Sequence, residues 1–204
     1  MSLPDCFDCK YGGLEHPCRT ASGGYDFAKA GAAIVAHGRS YRDDDEDGDD
    51  AGASRDRVDS PDDWIADCQY ELIEDHPALI MPLIVAAIDA CETPSDAAFV
   101  AAGLIENALV KHGPSLIGDL ERLAALSPKV PYVLSGVWSQ SGSVKASVWE
   151  RLGKAIGGHG RMSDDAREAR DGSAVTVLSE AAATVLMRDR IGPAAVEAGI
   201  ITAA

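Results

Sequence analysis

The chain has 204 residues, of which 46% are hydrophobic and 5% aromatic, and it carries a net charge of −15. That length suits one domain of moderate size plus appendages, and an Ala-rich, aromatic-poor composition favours close-packed helices. No apolar run reaches the roughly 18 residues needed to cross a bilayer, no secretory signal opens the chain, and the acidity disfavours nucleic acid. The expectation is therefore a cytoplasmic protein.

In chain order, residues 25–37 (YDFAKAGAAIVAH) predict a first helix carrying Phe27, Ala30, Ile34 and Val35. Residues 43–60 are almost devoid of apolar side chains and read as an acidic linker. Helix starts then follow in series. Ser60-Pro61-Asp62-Asp63 and Thr93-Pro94-Ser95-Asp96 each supply a cap, a first-turn proline and acids at the positive end of the helix dipole. His76-Pro77 separates the first two helices of this block, Gly113-Pro114-Ser115 ends one helix and opens another, and Ser127-Pro128 opens a short one. Apolar stripes accompany them. They are Trp64, Cys68 and Leu72; Leu79 through Cys91; Phe99, Val100, Leu104 and Ala108; Leu116 through Ala124; Val130 through Trp138; and Val144 through Ile156, the last stopped by Gly157-Gly158. Starts near 61, 77, 94, 114 and 128 make a helix pair recur every 33–37 residues. The expected fold is all-α, with residues 61–156 a short solenoid-like bundle of stacked helical hairpins. Residues 1–42 and 157–204 would then be flanks, the latter holding a helix at 173–190 with Val175, Leu178, Ala182, Val185 and Leu186 on one face.

Several short runs stand out in the central block. They are Asp63-Trp64, His76-Pro77, Ala101-Ala102-Gly103-Leu104-Ile105-Glu106, Lys111-His112-Gly113, Leu134-Ser135-Gly136-Val137-Trp138 and Val148-Trp149. With Gly-x-x-Glu, His-Gly and Gly-Val-Trp at these spacings, residues 62–156 resemble an uncharacterised bacterial family known only as a domain of unknown function. The resemblance implies a small bacterial helical domain and no established chemistry.

Three constellations could carry function. Cys6, Cys9, His16 and Cys18 have the residue types of a Cys3His zinc site, with Gly12-Gly13 allowing a tight turn. The alternative is a frayed terminus with incidental thiols. Cys68 and Cys91 fall on apolar helix faces and read as core residues. Glu106 and Asn107 interrupt an apolar stripe. Glu106 either ties a neighbouring segment by hydrogen bonds or serves as the acid or base of a small hydrolase-like enzyme. His112, before a helix-ending Gly113, suits a helix C-terminus. No nucleophile elbow or phosphate loop occurs, since Gly157-Gly158-His159-Gly160 lacks the strand before and the Lys-Ser/Thr after.

Charge points to the third constellation. Residues 43–110 hold 19 acids and 2 bases, and residues 64–110 hold eight carboxylates with no Lys or Arg. Asp67, Glu71, Glu74 and Asp75 gather on one side of the first helix of this block, away from Trp64 and Leu72. A face of one sign suits a basic partner. The Lys and Arg of 111–161 read as a solvated helical face. The leading expectation is a non-enzymatic bacterial protein-binding module, for instance an immunity or antitoxin protein, without a cofactor. A zinc-stabilised adaptor using Cys6, Cys9, His16 and Cys18 is the alternative.

Overall fold

A computed structural model describes residues 18–20, 24–46, 64–138, 143–157, 159–160, 162 and 177–202. Its elements are α1 (Phe27–Glu46), α2 (Trp64–Asp75), α3 (Pro77–Ala90), α4 (Pro94–Val100), a π-helical turn (Ala101–Ile105), α5 (Glu106–Ala124), α6 (Lys129–Leu134), α7 (Ala146–Ile156), α8 (Glu180–Leu186) and α9 (Gly192–Glu197). The fold is all-α, and among the described residues the sole extended pairing between two of them is an isolated antiparallel bridge between Arg19 and Tyr25.

The apolar stripes form one core. It runs from Cys18 and Tyr25 through α1, α2, α3, α5, α6 and α7 to Ile191, Ala195 and Ile200 near the C-terminus. Helices α1 and α3 meet backbone to backbone. A methyl group on Gly31 would lie 2.5 Å from the carbonyl carbon of Ala86, so the two backbones touch where no side chain intervenes. The caps act as their residue types predict. Thr93 Oγ1 accepts from Asp96 N at 3.1 Å and Asp96 Oδ2 accepts from Thr93 N at 3.0 Å, a reciprocal pair that opens α4. Ser127 Oγ accepts from Lys129 N at 3.1 Å at the start of α6. Gly157, at φ +52°, ends α7 in a conformation that side chains rarely adopt.

Four local expectations are overturned. The first helix runs on to Glu46, so residues 43–46 belong to it and not to the acidic linker. The break at Gly113-Pro114 does not occur, and α5 passes straight through both residues. Pro114 cannot donate to the carbonyl of Val110, but Val110 is exposed, where water can take the donor's place. Burying Leu116, Ile117, Leu120 and Leu123 beyond the proline, at about 1.5–3 kcal/mol each, outweighs its cost of about 3 kcal/mol. Trp138 lies beyond α6 and is 53% exposed rather than lining it. In the C-terminal region α8 spans only Glu180–Leu186, with Ala183 and Met187 buried while Ala182 and Val185 face out, and α9 was not anticipated.

Candidate functional site

The helix α2 divides into two stripes. Trp64, Ile65, Cys68, Gln69, Leu72 and Ile73 are buried. Asp67, Tyr70, Glu71, Glu74 and Asp75 are exposed, at positions i, i+3, i+4, i+7 and i+8, which is one continuous face. The four predicted carboxylates therefore do share a surface. Tyr70, 53% exposed in their midst, adds an aromatic anchor that charge counting overlooked. Its position three residues from Asp67 and four from Glu74 was the signal available in the sequence.

The other four carboxylates of 64–110, Asp89, Glu92, Asp96 and Glu106, are engaged with other parts of the chain. Asp96 is fully buried and grips Arg39 of α1, with Arg39 Nε donating to Oδ1 at 3.0 Å and Nη2 to Oδ2 at 2.7 Å. Arg39 Nη2 also meets Glu92 at 2.9 Å. Asp96 foremost, and then Glu92, push the Arg39 guanidinium to hold its proton still more firmly than usual. Asp89 accepts from Ile191 N at 2.6 Å and Gly192 N at 3.0 Å. Glu106 Oε2 accepts from Trp138 N at 2.7 Å, so Glu106 ties the segment after α6 to the start of α5, beside half-buried Asn107. Glu74 pairs with Lys111. The bases that 64–110 lacks are thus supplied by α1 and α5, while Asp89 and Glu106 are met by main-chain amides.

The motif residues meet one another across the fold. Lys111 and His112 hold the end of α2, His112 through an Nε2–H donated to the Ile73 carbonyl at 2.6 Å, where a C-terminal helix cap was expected. Gly113 is where α7 presses closest, because a Cβ there would be 3.0 Å from Val148 Cγ1. Gly136 sits against Met162 and Ala101, so the Gly-Val-Trp run packs on the π-helical turn that precedes Glu106. These residues assemble the helices around each other, which accounts for their types and spacing.

Of the proposed zinc ligands, Cys18 is buried beside α1, while Cys6, Cys9 and His16 lie outside the described residues. Cys68 and Cys91 are buried as expected, and Cys68 Sγ lies 3.4 Å from Tyr25 Oη. Burial pushes the Cys91 thiol up to about 12. One expectation fails outright. Lys129, taken for part of a solvated face, is 0% exposed. Its ammonium donates to the carbonyls of Cys91, Met187 and Asp189 at 3.2, 2.9 and 3.1 Å, and burial lowers its pKa. Acceptors 38 to 60 residues away leave no local trace in the sequence.

A groove of about 530 Å³ runs between α1 and α3, floored by small residues such as Ala32, Ala36, Pro82 and Ala86 and walled by Gly192, Val196 and Ile201. Neither the α2 face nor Glu106 lines it.

The model of a family of unknown function, DUF6869, matches residues 53–159. The chain belongs to this family. The match spans α2 to α7 and so contains the α2 face and the motif contacts described above, except that of Gly136 with Met162, while α1, α8 and α9 lie outside it. No curated protein and no solved structure matches the chain. DUF6869 therefore supplies a domain boundary and no chemistry. Among the described residues no helix is long and apolar enough to cross a membrane, and no group of three or more His, Cys, Asp or Glu side chains is placed to hold a metal ion.

Proposed function

We propose that this chain is a non-enzymatic bacterial protein-binding module, of the immunity or antitoxin kind, that docks a basic partner in the cytoplasm through the exposed face of α2. The observation that carries the reading is the stripe Asp67, Tyr70, Glu71, Glu74 and Asp75 on a helix whose opposite stripe is fully committed to the core. Carboxylates gathered on one face, with Lys111 offsetting only Glu74, steer a basic surface into encounter, and an exposed tyrosine at their centre gives that surface something apolar to close upon. The enzyme reading centred on Glu106 is weaker, because the Glu106 carboxylate is engaged with the Trp138 amide and lies away from the groove.

The test is affinity capture from the native host with the wild-type chain and with a triple reversal, Asp67→Lys, Glu71→Lys and Glu74→Lys. The expected result is a basic protein bound by the first and not by the second. Equal recovery, or no partner and no phenotype of the reversal, overturns the proposal. For the zinc-stabilised alternative, metal analysis of protein purified without chelator decides, and less than about half an equivalent of zinc removes it.

A further inference from the structure

The C-terminal segment is attached in an unusual way. Its helices α8 and α9 have 7 and 6 residues, far below the roughly 12 at which an isolated helix becomes marginally stable. Its buried apolar anchors are Ala183, Met187, Ile191, Ala195 and Ile200, with Leu178, Leu186 and Ile201 packed partly buried beside them. What fixes its course is a set of polar ties from the end of α3, the start of α6 and, through Arg122 Nη1 to the Ala198 carbonyl at 3.2 Å, from α5. Lys129 Nζ takes the carbonyls of Met187 and Asp189 while also holding Cys91, at the end of α3. Asp89 takes the amides of Ile191 and Gly192, and Arg190 Nη1 returns to the Asp89 carbonyl at 2.9 Å. Ser127 Oγ donates to Asp189 Oδ2 at 3.1 Å. One buried cation and one carboxylate therefore grip six consecutive residues, 187–192, from both ends.

We infer that the segment within residues 177–202 is a latched strap, a unit that opens separately from the helical core, with Lys129 and Asp89 as its two latches and the α1–α3 groove as the space it walls. Short segments at a chain's edge, with few large buried apolar side chains and solvent-exposed backbone hydrogen bonds, are the ones that open below the global unfolding limit. Each latch acts on backbone atoms, so release of one leaves main-chain carbonyls or amides without partners and favours departure of the strap as a whole. Gly192, Val196 and Ile201 would leave with it, and the groove would become an open face of α1 and α3.

Hydrogen exchange read by mass spectrometry on the full chain, in a series of sub-denaturing urea concentrations, tests this. In the wild type, amides of residues 187–200 are expected to exchange as one group, at least about tenfold faster than those of α3 and α5. Exchange of the segment together with the core in one global transition overturns the inference. Lys129→Met, which removes three charge-assisted bonds, and Asp89→Asn, which weakens two, should each raise exchange of that same group by at least roughly tenfold and leave α7 unchanged. An equal rise across the whole chain, or no rise, shows that these residues are not latches. If Lys129→Met does not fold, the wild-type profile and Asp89→Asn at the groove rim still decide.

Discussion

Asp96 and Glu71 are both acidic helix residues, yet they do opposite work. Asp96 closes the α4 capping pair, accepts from the Glu92 and Thr93 amides and holds Arg39 through two bonds, all with its side chain out of water. Removing one partner of a buried pair leaves the other's charge uncompensated, and here the cap is lost as well. Asp96→Ala should cost about 3 kcal/mol, at the low end for a broken buried pair because Arg39 stays partly exposed. Glu71→Ala on the exposed stripe should stay within about 0.5 kcal/mol. Urea midpoints measure both, and a large loss at Glu71 would mean that the α2 face serves folding instead of a partner. Cys91 makes a second prediction at this scale. Its thiol titrates at 9.0 when exposed and at about 12 when folded, so the native state keeps a proton that the unfolded chain releases. Stability from this source is present below pH 9 and lost as pH rises towards 12. Cys91→Ala should therefore lose less stability than wild type between pH 7.5 and 10, by about 1 kcal/mol. An unchanged difference between the two proteins across that range would contradict the burial of the thiol.

Helices and their stripes were legible because periodicity is a local property. Trp64, Cys68 and Leu72, or Leu116 through Ala124, declare a buried side without knowledge of what covers it. Local punctuation was less reliable. Thr93-Pro94 opens a helix as its residue types demand, whereas Gly113-Pro114, which carries the same kind of signal, sits inside one. The difference is tertiary. Val148 of α7 packs on Gly113, and the apolar side beyond Pro114 is continuous with Ala108 and Leu109. Glycine substitution separates local propensity from packing directly. Gly153, in α7, has open space where a Cβ would sit, so Gly153→Ala should gain up to about 1 kcal/mol from helix propensity. Gly31→Ala carries the same propensity gain but drives a methyl group into the Ala86 backbone, which cannot step aside. Overpacking of about 1–3 kcal/mol or more should dominate there, lowering the melting temperature where Gly153→Ala raises it. Two shifts of the same sign and size would refute the close α1–α3 contact.

At the scale of the whole molecule, the net charge proved a poor guide and its distribution a better one. Asp67, Glu71, Glu74 and Asp75 shared a face as their spacing required, but the pairing of Asp96 with Arg39 or of Asp89 with the α9 amides spans too much chain for any local pattern to register. The same long reach bears on what folds. The family match covers residues 53–159, yet α1 lies against α3 and contributes Ala30, Ala33, Ile34 and Val35 to the core, and the C-terminal segment contributes Met187 and Ile191. Burial of Ile34, Val35, Met187 and Ile191 at about 1.5–3 kcal/mol each sums to roughly 6–12 kcal/mol. A domain of this size has a total stability of about 5–15 kcal/mol. A fragment of residues 53–159 should therefore lack a cooperative thermal transition and bind a hydrophobic dye, while residues 18–204 melt sharply. Circular dichroism and dye fluorescence on the two fragments measure this. A sharp transition in the shorter one would show that α2–α7 close a core of their own, and that α1 and the strap are added to a domain already complete.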